Sequence, residues 1–247
     1  MGIHGCGRDN AFYEMKETFR QYLIAATVTA IIGGGIIYYL FVRSESFVPS
    51  IANKGLADVS LVLLGIVLLI GPLSRLYNRF DKWINYRKEL GILAFLAGAV
   101  HVYLSMFVLA RRGPFGLYQS RPLVAYTGLL GLAIMAYLFI ISFEKIKTKL
   151  GVAKWWKMQY WGARITGVAI FVHMAAFKYP EWDTWLSGKT EGLALPNLPP
   201  SNLLVAIFFA FVLLTRLSER LNAKVARFLT PVWLGTAAIT SFLLFKL

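Results

Sequence analysis

Few residues in this 247-residue sequence can do chemistry. It has three histidines, His4, His101 and His173, and one cysteine, Cys6. His4 and Cys6 share a polar N-terminal stretch with Gly5 and Gly7, a poor place to build a metal site. A lone cysteine also excludes an intramolecular disulfide and thiolate-held zinc or iron–sulfur centres within this chain. His101 and His173 are different, because each stands inside a long apolar run. His101 lies between Ala94 and Met106, and His173 between Ile170 and Phe177. Ionisable side chains at membrane depth are costly, rare and usually functional.

The segments that carry these two imidazoles set the fold class. The chain is 57% hydrophobic and 15% charged, with a mean hydropathy of +0.60. Soluble domains carry about 25% charged residues, so the composition argues against a water-soluble globule, and its hydrophobicity excludes disorder. Lys and Arg number 26 against 12 Asp and Glu, but they cluster between apolar runs, which points to a membrane surface rather than a nucleic acid. The expected architecture is all-α, a polytopic bundle of about seven spans: Tyr22–Val42, Leu56–Leu73, Leu90–Ala110, Leu123–Phe143, Gln159–Phe177, Asn202–Leu217 and Phe228–Phe245. Alternate loops hold 17 and 8 of the basic residues, with Arg164 inside the fifth span. The positive-inside rule then puts the N-terminus in the cytoplasm of a multi-pass protein of the cytoplasmic membrane. The expected divisions are a cytoplasmic tail (1–21), a first span and outer loop (22–55), a four-helix core (56–178), and an outer cap with two further spans (179–247). The first span reads as permanent rather than as a secretory signal. Gly33, Gly34 and Gly35 are expected to permit close helix packing. The stretch 179–200, with Pro180, Pro196, Pro199 and Pro200, reads as an irregular cap.

Spans three and five run in the same direction, so depth can be compared along them. His101 is 11 residues past Leu90 and His173 is 14 past Gln159, which places them about 16 and 21 Å from the inner ends at 1.5 Å per residue. Two imidazoles at one level can clamp a haem iron from both sides, leaving no open position, which is an electron-transfer geometry. Cross-helix hydrogen bonding or a proton relay are the competing uses of such residues. Small neighbours, Ala97 and Gly98 before His101 and Gly167 and Ala169 before His173, would let a flat macrocycle approach the backbone. Arg111, Arg112 and Lys178 end these spans on the outer side, within reach of outward-directed propionates. Arg164 falls half a turn away from His173 and is expected to pair with Glu89 or snorkel. Asp58 is expected at the outer interface.

Two local patterns carry a resemblance. Tyr86-Arg87-Lys88-Glu89-Leu90-Gly91-Ile92-Leu93-Ala94-Phe95, followed by His101, and Leu150-Gly151…Trp156-Lys157-Met158-Gln159-Tyr160-Trp161…His173 resemble the two histidine helices of the ferric-reductase-like transmembrane domain. That family includes the haem subunit of the periplasmic methionine-sulfoxide reductase system. The resemblance covers roughly residues 56–178 and implies one haem b ligated by His101 and His173. Members with two stacked haems carry a second histidine 13 or 14 residues earlier; here Arg87 or Lys88 and Tyr160 stand in those places. The implied role is a b-type cytochrome subunit passing single electrons between quinol or a reductase and an acceptor outside the membrane. With no flavin or NAD module, it would be at most the electron-transfer subunit of an oxidoreductase, beside a redox partner protein or within a larger membrane complex. A haem-free structural or assembly subunit on a degenerate version of the fold is the alternative.

Overall fold

In the computed structural model, residues 6–44, 48–109, 116, 120–189, 195 and 197–246 are described, with side chains from Met15 onward except that of Arg79. The elements are α1 (Cys6–Ser44), α2 (Pro49–Leu76), a 3-10 segment (Asn78–Tyr86) and α3 (Arg87–Tyr103), which passes into a π-helical turn (Leu104–Val108). Then come α4 (Pro122–Ile141), the short α5 (Glu144–Leu150), α6 (Val152–Leu186), α7 (Ser201–Leu221) and α8 (Ala223–Leu244). No strand occurs among the described residues.

Among the described residues six helices are long and apolar enough to cross a membrane: Met15–Ser44, Pro49–Leu76, Phe80–Val108, Pro122–Ile141, Ser201–Leu221 and Ala223–Leu244. The seventh expected span lies within α6 and falls outside this set, because Gln159, Arg164 and Lys178 interrupt its apolar run. Packing nevertheless aligns α6 antiparallel to α4 along the full length of that helix. Trp155 Nε1 donates to the carbonyl of Ile141 at 2.9 Å, Gly162 abuts Leu138, Gly131 abuts Ile170, and Arg121 donates to the carbonyl of Phe177 at 3.3 Å.

The centre of the bundle is α2. Its apolar window has a mean hydropathy of 2.4 and is 67% buried, whereas those of α1, the Phe80–Val108 segment and α8 are 11%, 6% and 11% buried. A helix apolar all round belongs inside a bundle or facing lipid. The outer helices accordingly leave Phe19, Ile31, Phe107, Phe228 and Phe242 exposed, a surface that only hydrocarbon can cover. One core cluster joins α2 to α6 and α7 through Leu64, Leu68, Ala163, Phe209 and Val212. A second joins α2 to α1, α3 and α4 through Ala25, Val59, Leu63, Ala94 and Met135.

Several boundaries differ from the sequence expectations. Helix α1 already runs from Cys6, and α2 starts at Pro49, with the proline at the first helical turn, where its missing N–H costs nothing. The expected irregular cap begins later: α6 continues through Pro180 to Leu186. The following segment is tied to α1, with Arg43 Nε donating to the carbonyl of Leu198 at 3.0 Å and the Tyr39 hydroxyl to that of Pro199 at 2.7 Å. Of the three consecutive glycines only Gly33 faces a neighbour, Val59. The tight approach of α1 to α2 is at Gly55, where an added Cβ would lie 3.0 Å from Ile37 Cγ1.

Gly131 is the strictest steric test of the α4–α6 pair. An added Cβ there would sit 2.5 Å from Cγ1 of Ile170, part of a stiff β-branched side chain. Gly131→Ala is expected to cost about 1–3 kcal/mol by overpacking, read as a lowered thermal midpoint of the detergent-solubilised protein, while Gly34→Ala, which meets nothing within 4 Å, leaves it unchanged.

Candidate functional site

The two intramembrane imidazoles are held in the same chemical way. His173 Nδ1 lies 2.7 Å from the carbonyl oxygen of Val124, and His101 Nδ1 lies 3.1 Å from the carbonyl and 2.9 Å from the side-chain oxygen of Asn53. Carbonyl oxygens only accept, so Nδ1 is the protonated nitrogen in each ring and Nε2 keeps its lone pair. Among the described residues no hydrogen bond reaches either Nε2. An Nδ1–H bonded to a carbonyl is the usual second-shell arrangement of a metal-ligating histidine, fixing tautomer and ring orientation.

The supports come from opposite helices at one end of the bundle. Asn53 lies in the second turn of α2 and Val124 in the first turn of α4. Asn53 is itself locked, its Nδ2 donating to Ser105 Oγ at 2.9 Å in the π-helical turn beyond His101; such turns often accompany functional sites. Gly128 explains how His173 reaches a helix carbonyl. An added Cβ at Gly128 would stand 2.6 Å from His173 Nδ1 and 2.8 Å from Cε1, so the ring occupies the space a side chain would fill. Phe177 lies 6.4 Å from the His173 ring and nearly parallel to it, at 13°.

Helices α3 and α6 both pack on α2 and on α4 but have at most marginal contact with each other. The two histidine helices thus share the same two neighbours, and the His101 and His173 side chains lie near enough to interact electrostatically. No group of three or more His, Cys, Asp or Glu side chains able to hold a metal ion occurs among the described residues. Two imidazoles with free Nε2 atoms suit an iron whose remaining positions are filled by a macrocycle.

The small residues expected to line the site divide into two sets. Ala97 and Ala169 are buried one turn before His101 and His173. Gly98 instead serves packing: its missing side chain lets Ser60 Oγ donate to the carbonyl of Ala94 at 2.8 Å, and an added Cβ would lie 3.0 Å from that oxygen. Gly167 is turned away, against Leu68 and Phe209. Sequence reasoning missed Gly128 and Asn53. The first belongs to a Gly128–Gly131 pair on one face of α4, and the second was hidden by starting the helix at Leu56 instead of at Pro49.

Of the outer cations, Arg111 and Arg112 lie outside the described residues. Lys178 pairs with Glu181 at 2.8 Å and lies 5.2 Å from the Phe177 ring centroid; its charge is also felt at His101. Arg121, which sequence reasoning left in a loop, caps the same ring at 5.5 Å. Asp58 is buried among the helices, accepting from Ser201 Oγ at 2.6 Å. Burial acts to raise the Glu181 carboxyl, but Lys178, Lys54 and Arg43 outweigh it and hold Glu181 below the ordinary range.

At the other end, the places where a second histidine pair would stand hold Arg87, Lys88 and Tyr160. Arg164 lies 3.3 Å from the centroid of the Tyr160 ring and donates to the Tyr160 carbonyl at 2.8 Å. Its acidic partner is Glu219, at 3.8 Å, rather than the expected Glu89. The choice follows from α7, which brings Glu219 against α6; that contact joins residues 55 positions apart and is invisible in local spacing.

With this geometry in place, comparison with known proteins gives two findings. Residues 55–163 match the model of the ferric reductase like transmembrane component. The match includes α3 with His101 and ends ten residues before His173. Metalloreductase STEAP2 of Mus musculus is 35% identical over 74 residues, 25% of this chain and 15% of that protein. The chain thus matches only a small part of that relative's length.

Two outcomes test this geometry directly. Imidazole 15N resonances of protein prepared without added haem should place His101 and His173 both in the Nδ1–H tautomer; an Nε2–H signal from either contradicts the assigned hydrogen bonds. The depressed Glu181 carboxyl stabilises the folded state above its unfolded-state value, and that contribution is lost as pH falls through the lower folded-state value. The wild-type thermal midpoint should therefore fall on acidification more steeply than that of Glu181→Gln, measured over the carboxylate range.

Proposed function

We propose that this chain is a membrane b-type cytochrome that carries single electrons through one haem held by His101 and His173, at the outer side of the cytoplasmic membrane. The observation that carries the reading is the pair of half-buried imidazoles on α3 and α6, each fixed through Nδ1 to a carbonyl and each with an uncommitted Nε2. Haem b, when bound, supplies a reversible one-electron iron couple. The match to the ferric reductase like component over residues 55–163 and the similarity to a metalloreductase support a redox role in the membrane.

The chain's own residues contribute orientation, charge and exclusion of water. Val124 and Asn53 aim the imidazoles and strengthen them as donors. Gly128 leaves room for the His173 ring, and Ala97 and Ala169 keep the turn below each ligand narrow. Lys178 and Arg121 offer positive charge for propionates at the outer rim. Among the described residues neither imidazole hydrogen-bonds to an acid, which favours electron transfer over a proton relay. The N-terminus is assigned to the cytoplasm by loop charge, and residues 56–178 are assigned as the haem-binding core. Electrons would be exchanged with a quinone or a redox partner protein in or on the bilayer.

Expression with haem supplementation, followed by pyridine-haemochrome quantitation, tests the reading. One haem b per chain is expected, with six-coordinate low-spin spectra that are lost in His101→Ala and in His173→Ala, and reduced haem content in Gly128→Val. Unchanged low-spin spectra in both histidine variants would overturn the ligand assignment. The presence of Arg87 and Tyr160 in place of an inner ligand pair favours a second reading, a haem-free scaffold subunit, and stoichiometric absence of haem from the intact protein would select it.

A further inference from the structure

The inner end of the bundle holds a charge imbalance that the haem reading does not use. Glu219 on α7 is approached by three guanidinium groups: Arg216 at 2.9 Å, Arg75 at 3.1 Å and Arg164 at 3.8 Å. Arg87, at the start of α3, is close enough for its charge to be felt at Arg216, and it in turn feels Arg164 and Glu219. Three cations from three helices thus converge on one carboxylate, with a fourth from another helix nearby. Each guanidinium offers five N–H donors, and a carboxylate accepts about four hydrogen bonds, so a single glutamate cannot satisfy the set. Glu89, another buried acid toward this end, lies beside Tyr22.

The unsatisfied atoms are concentrated here and are mostly donors. Arg87 Nε and Arg216 Nε are buried without a hydrogen-bond partner among the described residues, and Arg216 as a whole is 9% exposed. The hydroxyls of Thr166 and Thr215 are likewise buried and unpartnered, and both residues are 0% exposed. Thr27, Thr29, Thr127, Thr148, Thr184, Thr230 and Thr236 instead donate to the carbonyl four residues back. Thr215 adjoins Arg216 and Thr166 follows Arg164 by two residues, so both lie at the same level of the bundle as the arginines. The Arg216 guanidinium rests on bare backbone at Gly71, where an added Cβ would lie 3.3 Å from Nη2. Arg75, by contrast, is 67% exposed and opens the cluster to headgroup depth.

Unpaired buried donors are expensive, and bidentate guanidinium groups are the protein's preferred partners for phosphate. We infer that Arg75, Arg87, Arg164 and Arg216 form a binding site for a phosphate group, with Glu219 as the internal anion it competes with. The ligand is a phosphate ester, either a lipid headgroup or a soluble molecule. The inference does not depend on haem.

Thermal unfolding of the full chain in nanodiscs separates the sources. Discs of phosphatidylglycerol compared with phosphatidylcholine test the headgroup. Titration of inorganic phosphate into phosphatidylcholine discs, against chloride at equal ionic strength, tests the soluble source. A rise in midpoint with phosphatidylglycerol supports the lipid arm, and a saturable rise with phosphate but not chloride supports the soluble arm. In either arm the exposed variant Arg75→Gln should weaken binding, by about tenfold or more. Glu219→Gln, by removing the competing anion, should tighten it, an effect that a purely structural ion network would not produce. Absence of a rise in both arms, an equal rise with chloride, or shifts unchanged in Arg75→Gln would overturn the proposal.

Discussion

An imidazole inside a bilayer has two nitrogens to satisfy and no water to do it, and the structure resolves that constraint in the same way twice. At both His101 and His173 the Nδ1–H is given to a carbonyl of a neighbouring helix, near that helix's N-terminus. Because a carbonyl cannot donate, the remaining nitrogen is left as a pure acceptor on each ring. Leaving such a group unused in a low-dielectric surround is costly. The rest of the core can be understood as the framework that keeps these two acceptors at one level.

That framework is the pair α2 and α4. Each starts at a proline, each offers a carbonyl from its first turns, and each packs on both histidine-bearing helices. Close approach depends on a missing side chain at a given turn. Gly128 lets His173 reach the carbonyl of Val124, four residues earlier on α4. In the same relation, Gly98 lets Ser60 reach the carbonyl of Ala94 on α3. Small residues at membrane helix contacts allow backbones to approach; here they also expose carbonyls to side chains that need them. The inner end is organised by the opposite problem, an excess of donors around Glu219.

Much of this was legible in the residues. The apolar runs fixed an all-helical membrane bundle, and the rarity of buried histidine singled out His101 and His173. The helix rise placed them within about 5 Å of a common level. What could not be read was tertiary. Arg164 had Glu89 as its expected partner, but α7 delivers Glu219. Gly98 and Gly167 have the right size to line a cofactor, yet Ser60 and the Leu68–Phe209 pair fill the space beside them. Pro180 looked like the end of a helix, although α6 carries it in its last turns. Asn53 fell in the expected outer loop, whereas α2 begins at Pro49 and carries it in its second turn.

The central claim is that the two uncommitted Nε2 atoms share one iron. Near-infrared magnetic circular dichroism with low-temperature EPR on the oxidised, haem-supplemented protein measures this directly. The account predicts a low-spin ferric signal with the charge-transfer signature of two neutral imidazole ligands, at one per chain. A high-spin or mono-histidine signal at that stoichiometry would contradict it.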